Sequence, residues 1–138
     1  MLIVGHRGTP GDRRCALDIL NDSDRLFIAS PFVYLETMPK AIYHRNASEM
    51  AFYTAYFDTV DYWIDDLEAI VELARQESER HGLAAMDALH VAAAHLGEAE
   101  VMYTFERKEK PMHRSTLVKL VSLHPADRVA SENPKRDL

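Results

Sequence analysis

The chain has 138 residues, of which 47% are hydrophobic and 28% charged. That size and balance suit one folded domain and exclude disordered or collagen-like chains. The only cysteine is Cys15, which excludes an intrachain disulfide and points to a reducing compartment, while the formal net charge of −6 argues against a broad electrostatic grip on nucleic acid.

No apolar run approaches the roughly 20 residues that span a bilayer, so a cytoplasmic protein without membrane contact is expected. Gly5, Gly8 and Gly11 lack the Lys-Ser/Thr of a phosphate loop and read as loop glycines. From Gly11 to Asn21 the apolar residues Ala16, Leu17, Ile19 and Leu20, with Asp12 near the start, predict a helix. Arg25 to Ala29 reads as a short buried strand. Ser30-Pro31 then opens a helix carrying Phe32, Leu35 and Glu36, because serine can cap orphan amides and proline needs no amide at the first position. Pro39 is expected to kink or end it. Asn46 with Glu49 three residues on forms a capping box for a helix rich in aromatics: Phe52, Tyr53, Tyr56 and Phe57. These rings and Trp63 suit either the core or an interface.

Val60 to Ile64 is a second expected strand. Asp65 or Asp66 caps the next helix, whose Leu67, Ile70, Val71 and Ala74 share one face and whose end is marked by Gly82. Met86, Leu89, Ala93 and Leu96 form the stripe of another helix, stopped by Gly97. Val101 to Thr104 and Leu117 to Leu123 complete the strands. The domain is expected to span 1–124, with 125–138, which ends in ASENPKRDL, a loose polar tail. Strands joined through helices imply a parallel sheet covered on both faces, a doubly wound α/β fold whose functional groups gather at the carboxyl ends of strands.

Three carboxylates fall at such places. Glu36 follows the strand and the Ser-Pro helix start, Asp87 opens the helix DALHVAAAHL, and Glu106 lies just past the strand EVMYT. Each also has a plain surface reading: Glu36 pairing with Lys40, Asp87 favouring its helix start, Glu106 one charge in the run ERKEK. If the three converge, mutual repulsion raises at least one carboxyl pKa, and a divalent cation relieves it. His90, one turn after Asp87, reads as packed histidine more readily than as a substrate contact. His90 and His95, five apart, do not share a helix face.

The segments ASPFVYLETMPKA, GLAAMDALHVAAAHLG and EVMYTFERK resemble, in order, the second, third and fourth signature regions of the PIN domain family. The resemblance covers most of residues 1–124. It implies a three-layer α/β/α fold with a mainly parallel sheet and a ribonuclease dependent on Mg²⁺ or Mn²⁺. Glu36, Asp87 and Glu106 would be its catalytic and metal-binding residues and RNA its substrate. Members of the family are often toxins paired with antitoxin proteins, and often homodimers.

A PIN domain normally begins with a central strand that ends in an aspartate. Here Met1-Leu2-Ile3-Val4 matches the apolar stretch that follows it. The natural product is therefore expected to begin upstream of Met1 with an aspartate a few residues before Leu2; otherwise Leu2 to Val4 serves as a substitute strand or another molecule pairs there. Three functional readings stand at this point: a PIN-like ribonuclease, a catalytically impaired PIN-like protein-binding module, and an unrelated doubly wound phosphoacceptor or small-ligand domain.

Overall fold

The computed structural model of the protein describes residues 2–131. Seven helices and four short strands alternate along these residues: α1 (Leu2–Arg7), α2 (Pro10–Leu20), β1 (Ile28–Ala29), α3 (Pro31–Tyr43), α4 (Ala47–Asp58), β2 (Tyr62–Trp63), α5 (Leu67–His81), α6 (Ala85–Leu96), β3 (Val101–Thr104), β4 (Lys119–Ser122) and α7 (Pro125–Ser131), with a 3-10 turn at Pro111–Arg114. The order of helices and strands follows the sequence periodicity. β3 has the expected bounds, and the other three strands are shorter than expected.

Pairing is parallel, but in two pieces. Ile28 and Ala29 of β1 lie against Tyr62 and Trp63 of β2, and Val101 to Thr104 of β3 against Lys119 to Ser122 of β4. The result is a mixed α/β fold with two two-stranded sheets. The carbonyls of Phe27 and Ala29 accept from the amides of Tyr62 and Ile64, so in a parallel ladder the peptide groups of Ile28 face the opposite edge. Arg25, at the entrance to β1, lays its guanidinium over the ring of Tyr103 in β3, 5.1 Å from the centroid, and so ties the two pieces together.

One apolar cluster joins α5, α6 and the second sheet. Ile70, Ala74, Ala88, Val91 and Ala92 lie at its centre, and Met102 and Leu120 pack against it. Helix α5 is delimited as its sequence predicts: Asp66 accepts from the Ala69 amide at 3.1 Å, and Gly82 closes the helix in the left-handed region at φ 72°. A second cluster, centred on Met38, Ala41 and Tyr53, holds α3 against α4.

Several expectations are corrected. Helix α3 does not end at Pro39 but runs through it to Tyr43. Pro39 supplies no amide to Leu35, four residues back, but both residues are exposed, so water can satisfy that carbonyl. Ser30 caps no amide; its hydroxyl is buried without a hydrogen-bond partner. Leu2 to Val4 form the start of a helix in place of a substitute strand. Gly5 and Gly11 lie within helices, and at Gly5 a Cβ would come within 3.0 Å of the Phe52 ring and 3.2 Å of Leu20, so the glycine permits close approach of α1. Residues 125–131 of the expected tail form a helix, begun by Pro125 with Asp127 in its first turn. Asp127 accepts from Ser122 and from the Lys108 amide, and Arg128 pairs with Asp12 of α2. Residues 132–138 lie outside the described residues. The aromatic group divides: Tyr53 is fully buried, whereas Trp63 is 43% exposed and stacks on Phe57 at 5.6 Å between centroids.

Candidate functional site

Asp87 is the third residue of α6 and half-buried. Burial pushes its carboxyl pKa up, the negative charge of Glu106 pushes it further, and Glu36 adds to the effect, while His90 and His113 pull it back. These influences require proximity. The charges of Glu106, just beyond β3, and of Glu36, on α3, thus reach Asp87 at the start of α6.

Helix α3 packs on α6, and the contact brings Glu36 to His90: Oε2 and Nε2 are 2.8 Å apart. The His90 side chain is 14% exposed and that of Glu36 is 45%. Glu36 thus pairs across helices with a histidine instead of along its own helix with Lys40. The hydrogen bond to His90 holds the Glu36 carboxyl below the usual glutamate range, although burial opposes the shift. His95, pointing elsewhere, contacts the Leu117 carbonyl through Nδ1 at 2.9 Å.

Glu106 is exposed, and two bonds fix its backbone. Its amide donates to Thr104 Oγ1 at 3.1 Å, and its carbonyl lies 3.1 Å from Nε2 of His113, in the 3-10 turn. Each outer acid is therefore tethered to a histidine, Glu36 through its carboxylate and Glu106 through its backbone. The sequence signals the acids by position; it gives no sign of these partners, which lie 54 and 7 residues away.

The donors are hard oxygens that repel one another, which suits Mg²⁺ or Mn²⁺. Among the described residues, no three acid, histidine or cysteine groups stand together closely enough to enclose an ion directly. Such a set fits a cation held by one or two carboxylates with water completing the shell, the usual manner of Mg²⁺. Among the described residues, no helix is long and apolar enough to cross a membrane. No protein-family model, curated protein or solved structure matched the chain.

Proposed function

We propose that the chain is a PIN-like ribonuclease that uses Mg²⁺ or Mn²⁺ to hydrolyse RNA phosphodiesters, and that its two parallel pieces belong to a three-layer α/β/α arrangement of that type. The observation that carries this reading is geometric: Glu36 of α3 reaches across to α6 and bonds His90, one turn after Asp87, at 2.8 Å, and the charges of Glu106 and Glu36 accordingly help to raise the Asp87 carboxyl. A stability-driven surface does not gather like charges around a half-buried acid; a cation site does, because the ion relieves the repulsion.

In this reading Asp87, Glu36 and Glu106 would hold the cation, directly or through water. When bound, the cation supplies an acidified water and neutralises charge on the leaving oxygen. The decisive experiment is cleavage of single-stranded RNA by the full chain with added Mn²⁺. Asp87→Asn should lower the rate at least about 100-fold, the scale on which loss of a key electrostatic group acts. A wild-type chain inert with both metals, or a variant as active as wild type, overturns the reading.

A second reading is a catalytically silent module that binds a partner protein, either antitoxin-like or a second copy. Leu35, Ile42 and Tyr43 favour it: they stand 62%, 49% and 81% exposed on α3, apolar surface that a partner would cover. Sedimentation of a monomer at high concentration, with no copurifying protein, would count against it.

A further inference from the structure

We propose that His90 is a positioning residue that fixes the Glu36 carboxylate within the acidic cluster, so that the cation site is organised before an ion arrives. The proposal rests on the metal-site reading and adds to it a residue that is not itself a ligand.

Glu36 would swing freely without a partner. It is a long side chain on an exposed stretch of α3, and the negative charge of Asp87 favours its swinging out to solvent. Its carboxylate bonds to His90 Nε2, at 2.8 Å. His90 can serve as a fixed post because its own position is settled. It sits one turn after Asp87 on α6, so the two share a helix face. The flanking residues Ala88, Val91 and Ala92 are buried at 0–1% exposure, which anchors the helix on either side of the ring. The grip on Glu36 and the acid it must meet are thus carried by the same rigid element. Residues that orient metal-binding carboxylates typically contribute 10- to 100-fold to metal affinity.

The test is Mn²⁺ binding to the full chain, measured by titration calorimetry. His90→Ala should weaken binding about 10- to 100-fold. His90→Gln, whose amide can reach as the ring Nε2 does, should recover most of that loss. Adding Glu36→Gln to His90→Ala should cost little more, since the carboxylate is already released. If His90→Ala fails to fold, His90→Phe keeps the packing and removes the donor, and it should show the same loss. Wild-type affinity in His90→Ala or His90→Phe, with binding still abolished by Asp87→Asn, overturns the positioning role and leaves the metal site standing. No Mn²⁺ binding by the wild type overturns both.

Discussion

Asp87 holds its proton more tightly in the folded chain than an ordinary aspartate does, through burial and then through Glu106 and Glu36. Stability from such a group is full at low pH and is lost as pH rises through its folded pKa. Without metal, Asp87→Asn should therefore melt at a higher temperature than wild type near neutral pH. The gap should close as pH falls below the ordinary aspartate range, and melting curves in a chelator across that range would show it. A variant less stable than wild type at neutral pH would mean that attraction to the α6 N-terminus outweighs the repulsion. The backbone positions of Asp87, in the first turn of α6, and of Glu106, just past β3, were legible in the sequence because helix starts and strand ends are set locally. His90 was not, since its bond to Glu36 depends on how α3 settles on α6, a matter of side-chain packing. Ser30 shows the converse: the residue type and position of a cap are present, yet the hydroxyl accepts nothing.

Helices were more legible than strands. A helix carries its hydrogen bonds within its own sequence, so Asp66 and Gly82 suffice to bound α5, whereas the length of β1 depends on what lies beside it. Gly97 illustrates how a correct boundary can hide its cause. Its φ is −82°, and the left-handed residue after α6 is Glu98, at φ 57°. What demands glycine there is space: a Cβ would meet Ile64 Cγ1 at 2.9 Å and Ile28 Cγ2 at 3.0 Å. Gly97→Ala should cost about 1–3 kcal/mol, as overpacking does, read as a lower urea midpoint at unchanged slope. Beside the Gly5–Phe52 approach, the joint between α1 and α4 has a polar part. Tyr53 donates to Glu49 Oε1 at 2.7 Å, and Arg7 pairs with the other carboxylate oxygen. Burial works to raise the Glu49 carboxyl, but the bonds from Arg7 and Tyr53 prevail and hold it below the usual range. This stability is present above the ordinary glutamate pKa and is lost as pH falls through the lower folded value. Tyr53→Phe should remove about 1–3 kcal/mol and shift acid unfolding to higher pH, both measurable by circular dichroism.

For the molecule as a whole, binding to the folded state alone raises stability by mass action, so metal and fold report on each other. Mn²⁺ at about 100 times its dissociation constant should add about 2.7 kcal/mol, seen as a rise in Tm that Asp87→Asn largely abolishes. An equal rise in both proteins would assign the effect to ions elsewhere on this acidic surface. At this scale the sequence indicated parallel pairing and helical cover, because β-α alternation leaves little else. It did not indicate two separate ladders, because strand adjacency is set by contacts distant along the chain.

That division makes α6 a caliper. One jaw is the β1–β2 piece, whose α3 carries Glu36; the other is the β3–β4 piece, beyond which Glu106 lies; and Asp87 is on the spine between them. Strands within one ladder are spaced by their peptide bonds at about 4.8 Å, whatever their side chains. Across this gap lie the packing of α6, where a Cβ at Gly97 would meet Ile28 and Ile64, and the Arg25–Tyr103 contact. The spacing of the two pieces is thus set by side-chain bulk, and a single methyl group added at Gly97 can change how far apart they stand without touching any acid.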